Sequence, residues 1–490
     1  MKKVWSAENP EIRIVSDQKL TEGKIPRLLL KISIPASTGL LFNTLYNITD
    51  TYFGGRISTE ALAGLSISFP VFFIILALAL GLGTASTALI SNALGAGENK
   101  KAVIYFVQAI SFSLLLALVL LFLRDSYSGF VFSLMGASGA VGDYASEYIN
   151  TILLGIPFFL LNNVLNSMLN ARGNTKSYRN VLAAGFAVNL LLDPMFLYGF
   201  GFIPAMGIKG IAFATVLVQA GALIYLFFEV VKTGVFCRYF TASAGFPPGF
   251  SETDGDRDCR RINRNVFRYF IPKVSYIKEI LAQSIPSGLN MMSVALGFFV
   301  INFFLNRYGG HQALAAYAIG LRIEQIALLP ALGLNTALLA VTGQNSGAGR
   351  IDRVKIAFKT SLFFGAVLMA VMLTIILPLS GLIISIFSKD PDVLFYAVYY
   401  LRIVGITYYS YIILFCCNSM LQGIKKPGFV LLSGLFRQIA APAAVFYFIC
   451  GVKGLGAEGI FAGIAAINWI AAAAMLFYSL KKLSTLDKYK

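Results

Sequence analysis

A chain of 490 residues that is 57% hydrophobic and only 13% charged, with mean hydropathy +0.74, is not an ordinary soluble protein, in which about 25% of residues carry charge. Forty Lys and Arg against 23 Asp and Glu leave a formal charge of +17, which in a soluble protein would point to nucleic acid. The basic residues instead sit in short segments between apolar runs, as the inside bias of membrane proteins requires, so no nucleic-acid partner is expected.

The residues through about Arg27 are polar and basic and hold no apolar core ahead of a small-residue cleavage site, so the first apolar run is expected to stay in the protein. Apolar runs then follow at roughly 28–53, 60–92, 102–123, 143–170, 180–200, 208–231, 280–305, 313–341, 356–387, 393–421, 428–450 and 457–480, near or above the ~20 residues that a helix needs to cross a bilayer. The pattern predicts an all-α integral membrane protein of twelve transmembrane helices. With the N-terminus in the cytoplasm, the outer connections hold only Arg56, Arg124, Lys209, Arg307, Lys389 and Lys453. The inner segments then hold 30 of the 40 Lys and Arg, and Lys31, Arg322, Arg402 and Arg437 fall within apolar runs. Both termini are therefore expected on the cytoplasmic side of a plasma or inner membrane.

One long connection, from about Lys232 to Lys278, is rich in charge and turn formers. It divides the chain into an N-terminal lobe (1–240, helices 1–6), a basic cytoplasmic linker (241–275) and a C-terminal lobe (276–490, helices 7–12). Cys416, Cys417 and Cys450 lie in or beside apolar runs, and Cys237 and Cys259 lie in the linker. A disulfide framework is not expected. His311 is the only histidine, too few ligands for a Cys/His zinc site. No HExxH or GxSxG run is present, so no catalytic residue is assigned and the chain reads as a non-enzyme.

Displacing the sequence by about 252 positions sets ALGLGTASTALISNALGAGENKK beside ALGLNTALLAVTGQNSGAGRIDR, and Pro35 beside Pro286 with offsets varying by a residue. Six helices per repeat is an even number, so the halves share one orientation. This is the parallel repeat of many transporters, with the substrate path between the halves.

Ionisable groups inside a span are a functional hypothesis by default. In helix 1, Asn43, Tyr46, Asn47 and Asp50 share one face; in helix 5, Asn189 and Asp193 are one turn apart. Pro194 has no N–H, so the carbonyl of Leu190 loses its helical partner beside them. Helix 4 adds Asn163, Asn166 and Asn170, with Tyr148 nearer its outer end. Asp50 and Asp193 fall at similar depth. Hard oxygens suit Na⁺, and two crowded carboxylates suit a shared proton, so H⁺ or Na⁺ is the expected coupling ion, with Asp50, Asn189 and Asp193 as the Na⁺ ligands if sodium is used. The second half has Asn302 near the place of Asp50 and Ala441 near that of Asp193. Its buried Glu324 is either a second coupling site or half of an Arg–Glu pair locking helices.

These residues, in this order, resemble the multidrug and toxic compound extrusion (MATE) family, in its bacterial branch with the acidic site in the N-terminal lobe. The most specific pieces are IPASTGLLFNTLYNITDTYFGG, GLGTASTALISNALGAG, NARGNTKS and NLLLDP followed by GIKGIAFAT. The resemblance implies two six-helix bundles forming a V-shaped cleft, alternating access, and export of organic cations or amphiphiles in exchange for H⁺ or Na⁺, without an organic cofactor. By matched position it implies coupling roles for Asp50, Asn189 and Asp193, supporting polar roles for Asn43, Tyr46, Tyr148 and Asn163, and a bend at Pro35. Where some members have an acid in helix 10, this chain has Tyr411, so no second-lobe sodium site is expected. An adaptable aromatic and methionine-rich cleft makes Phe158, Phe159, Met168, Phe298, Tyr408 and Tyr411 its candidate lining. The expected partners are small organic molecules and the bilayer, with a monomer as functional unit. The alternative from the wider superfamily is a flippase of lipid or lipid-linked oligosaccharide.

Overall fold

The computed structural model describes residues 20–124, 126, 132, 139–201, 203–234 and 267–487. The cysteines Cys237 and Cys259 and most of the expected linker lie outside the described residues. The chain is helical, and among the described residues β pairing is confined to an isolated bridge between Phe200 and Ile203. The spans are α1 (Ile25–Gly55), α2 (Thr59–Gly95), α3 (Asn99–Phe122), α4a (Gly139–Leu153) with α4b (Ile156–Ala171), α5 (Lys176–Tyr198) and α6 (Ile208–Lys232). The second set is α7 (Val274–Tyr308), α8 (Gly310–Gly347), α9 (Ile351–Ser385), α10a (Pro391–Gly405) with α10b (Tyr408–Gly423), α11 (Gly428–Val452) and α12 (Gly456–Asp487). Each bent pair counts as one span, which gives the expected twelve.

Local sequence sets the boundaries. Ser58 caps α2 by accepting from the Ala61 N–H, and Asp390 caps α10a by accepting from the Asp392 and Val393 N–H groups, which satisfies donors that a helix start otherwise leaves open. The two bends, 48° in the fourth span and 49° in the tenth, are one feature of the repeat. Gly155 and Thr407 stand 252 positions apart, and their N–H groups donate to Ile152 and Val404, also 252 apart, both at 2.8 Å.

The lobes meet at the face where α1 begins, called the basic face below. Residues 85–93 of α2 and 337–345 of α8 are buried along their whole length and are again 252 apart. A Cβ on Gly95 would stand 1.9 Å from the Gln344 carbonyl oxygen, and one on Gly347 would stand 1.9 Å from that of Asn92. Only glycine permits this crossing. Around it, Asn92 Nδ2 donates to the Gly423 carbonyl and Gln344 Nε2 donates to the Ala171 carbonyl, both at 2.7 Å. Each lobe thus closes on the end of the other lobe's bent span.

Two straps reinforce this face. The backbone ahead of α1 crosses to the second lobe: the Leu20 N–H donates to Gln344 Oε1 at 3.1 Å, and Asn345 Nδ2 and Arg350 Nη1 donate to the Leu20 and Thr21 carbonyls. The Leu20 side chain is fully buried. The backbone ahead of α7 crosses to α3, where Gln108 Nε2 donates to the Tyr269 and Ile271 carbonyls and its Oε1 accepts from the Lys273 N–H.

Candidate functional site

The two acids come together because α1 packs along α5 with their ends away from the basic face aligned. Asp50 lies five positions before the end of α1 at Gly55, and Asp193 five before the end of α5 at Tyr198. Asp50 is 9% exposed, and Asn189 and Asp193 are fully buried. Asn189 uses both of its amide hydrogens, donating from Nδ2 to Asp50 Oδ1 at 2.6 Å and to Asp193 Oδ2 at 2.8 Å. The two carboxyl groups are thus bridged by the one Asn189 amide. On its other oxygen Asp50 accepts from Thr215 Oγ1 of α6 at 3.4 Å, and Thr215 Oγ1 accepts from the Tyr46 hydroxyl at 2.9 Å. Three helices therefore contribute to one closed cluster inside the first lobe.

The cluster is incomplete in its polar pairing. Asn189 Oδ1 and Asp193 Oδ1 are buried without a hydrogen-bond partner, and such orphans cost about 1–3 kcal/mol each. Two carboxylates, an amide oxygen and a hydroxyl form a hard, oxygen-only set, the donor chemistry that suits Na⁺, and one proton on the pair would equally lower the repulsion between like charges. The residues thus fit either ion.

Not every expected residue joins this cluster. Tyr46 enters it through Thr215, while Tyr148 is half-buried on α4a, which packs against α2 and α6. Asn43 shares the Asp50 face but lies seven residues, about 10 Å, closer to the basic face, with its side chain exposed. Asn163 packs against α2 at Gly83 and donates back to the Phe159 carbonyl at 2.9 Å. Pro35 is buried inside a continuous α1, near the crossing where Ser37 Oγ donates to the Pro330 carbonyl at 3.4 Å. Thr215 was the member the sequence did not single out. The signal was present, since it ends the GIAFAT run, but a lone threonine in an apolar span has no pattern of its own.

The proposed cleft lining divides in the same way. Phe159, Met168 and Tyr408 are buried in the lobe interiors: Phe159 meets Phe72 edge to face at 5.3 Å, Met168 lies in the first-lobe core, and Tyr408 is fully buried in the second. Their helix faces point into their own bundles, so in this conformation they pack cores rather than line a path. Phe158, Phe298 and Tyr411 remain partly exposed.

In the second lobe the Arg–Glu pair considered for Glu324 is not formed: among the described residues its carboxylate has no ion pair with arginine and accepts from the Tyr400 hydroxyl at 2.8 Å. Arg437, in a π-helical stretch of α11 (Phe436–Ala440), donates to Asn468 Oδ1 at 2.8 Å and sits 5.7 Å above the Tyr411 ring.

Comparison with known proteins agrees with this architecture. The family model described as MatE matches residues 35–195 and 286–448, one match in each lobe. The chain is 27% identical over 445 residues to a FAD transporter of Shewanella oneidensis, covering 89% of this chain and 91% of that one. It is 25% identical over 473 residues to the multidrug export protein MepA of Staphylococcus haemolyticus, covering 95% and 96%. A solved structure described as the outward-facing conformation of a multidrug resistance MATE family transporter superposes with TM-score 0.83 at 24% identity, over 97% of this chain and all of that one.

Proposed function

The chain belongs to the MatE family, and from that premise we propose that it is a secondary antiporter that exports amphiphilic organic compounds in exchange for H⁺ or Na⁺. Members of the family are multi-pass membrane transporters and not enzymes, and relatives such as MepA are named for multidrug export. In this reading the basic face is the cytoplasmic face, which the distribution of Lys and Arg supports. The conformer described is then closed to the cytoplasm by the α2–α8 crossing, with the V open outward.

The observation that carries the coupling is the Asp50–Asn189–Asp193 cluster, with two carboxyls bridged by one amide and two unpartnered oxygens. An entering ion binds there in the outward-open state and removes the repulsion between the acids. Because Asp50 belongs to α1, which also crosses α8 at Ser37 and Pro330, a change in how α1 sits on α5 reaches the interface between lobes. Pro35 lies beside that crossing, where one helical hydrogen bond is already absent, and is the point at which α1 bends to expel substrate. Driving force enters at about 2.3 kcal/mol per charge per 100 mV, plus the ion gradient.

The test is efflux of fluorescent amphiphiles of either charge from proteoliposomes, with ΔpH and ΔNa⁺ imposed separately. Efflux driven by one gradient, and lost in Asp50→Asn and Asp193→Asn, supports the reading and names the ion. Equal efflux by wild type and both variants overturns it.

A further inference from the structure

The acids of the coupling cluster do not line the path between the lobes. Taking Ser37 as the point where α1 meets α8, Asp50 is thirteen residues on, more than a third of a turn from that face. Its side chain is buried on α5 and α6 instead. What faces the cleft follows from helical phase. Eleven residues complete about three turns and advance about 16 Å, so each residue eleven positions outward from an inter-lobe contact lies on the same face, above the closed region.

Three helices give the wall. Eleven beyond Ser37 in α1 is Ile48, 55% exposed; eleven beyond Gly288 in α7, where a Cβ on Gly81 would stand 2.6 Å from the Gly288 Cα, is Phe299, 71% exposed. In α8, which runs the other way, the contact is Gly333, whose Cβ would stand 2.1 Å from Ser37 Oγ, and eleven positions outward is Arg322. Arg322 is also twenty-two positions from Gln344 and twenty-five from Gly347, both on the interface and both near whole numbers of turns. Its neighbour on that face, Ile326, is 53% exposed.

Arg322 is exposed, twelve residues inside a 38-residue span, and forms no hydrogen bond or ion pair among the described residues. The other arginines deep in the second lobe are placed differently. Arg437 is bound to Asn468 and stacked on Tyr411, and Arg402, exposed as well, belongs to α10a, which packs on α8, α9 and α12 of its own lobe and away from the contact between lobes. A guanidinium without a partner among apolar and aromatic walls, inside a span, is where a planar anion would be held, because two parallel N–H donors match a carboxylate or phosphate.

We propose that Arg322 is the substrate anchor of the cleft and that the transported compounds are ring-bearing amphiphiles with an anionic group, carboxylate or phosphate, that pairs with it. This narrows the substrate class of the proposed antiporter and rests on that reading only for the direction of transport.

Equilibrium binding of fluorescein, an aromatic dianion, to the detergent-purified full-length chain without any gradient tests it, with ethidium as the cationic control and fluorescence anisotropy as the readout. Wild type is expected to bind fluorescein, Arg322→Gln to bind it at least tenfold more weakly, Arg322→Lys to fall between them, and ethidium to be indifferent to both changes. Arg322→Gln removes a charge that is costly inside a span, and an unchanged ethidium affinity shows that the variant is folded. Fluorescein binding by Arg322→Gln equal to wild type, or no fluorescein binding by wild type, overturns the proposal. Asp50→Asn separates the two readings: normal gradient-driven transport by that variant ends the antiport reading, while the fluorescein affinities still decide the anchor.

Discussion

Asn92 and Gln344, 252 positions apart, each donate a side-chain amide at 2.7 Å to the backbone carbonyl that ends the other lobe's bent span. The lobes are thus joined by two equivalent bonds around an approximate two-fold axis, with Gly95 and Gly347 at the crossing. With both bonds intact the lobes are held together on this face.

Gly95→Val should open this face. Its side chain would overlap the Gln344 carbonyl, and overpacking costs about 1–3 kcal/mol, enough to raise the open fraction roughly 5- to 150-fold. Spin labels at Glu98 and Lys355 report it as a longer distance population; an unchanged distance distribution contradicts the clasp.

Asn189→Leu should uncouple transport more severely than its size suggests. The change removes both amide donors that bridge the two carboxyls, and hydrogen bonds to charged groups contribute about 1.5–3 kcal/mol each. Gradient-driven efflux in proteoliposomes should fall to background in correctly inserted protein. Retention of more than half the wild-type rate would show that the amide is not needed.

Thr215→Val keeps the shape but removes the hydroxyl between Tyr46 and Asp50. One neutral hydrogen bond is worth about 0.5–1.5 kcal/mol, so the ion concentration giving half-maximal efflux should rise roughly 2- to 12-fold with little change in the maximal rate. A fall in the maximal rate alone would place Thr215 in the conformational step rather than in ion binding.

Glu324 and Tyr400 form a structural pair in the second lobe. Tyr400→Phe leaves a buried carboxylate without that donor, at a cost of about 1–3 kcal/mol, and should lower the unfolding temperature in detergent. Glu324→Gln should still transport, and loss of gradient-driven efflux in Glu324→Gln at normal expression would make the second lobe part of the coupling.

The sequence alone determined the class, the span count and the repeat, because crossing a bilayer demands only length and apolarity, both local properties. It also placed Asp50 and Asp193 at one depth and made Asn189 their neighbour, since spacing along a helix is fixed by its pitch. Tertiary structure decided which face of each helix meets what. Periodicity told that Asn43 and Asp50 share a face, but only packing showed that α5 and α6 cover the Asp50 end and leave Asn43 exposed. Packing likewise placed Phe159, Met168 and Tyr408 in the lobe cores, recruited Thr215 from an apolar run, and turned Glu324 toward Tyr400. The rotation of each helix about its axis is set by close contacts such as Gly95 on Gln344 and Gly333 on Ser37, between residues far apart in the chain, so no local pattern encodes it.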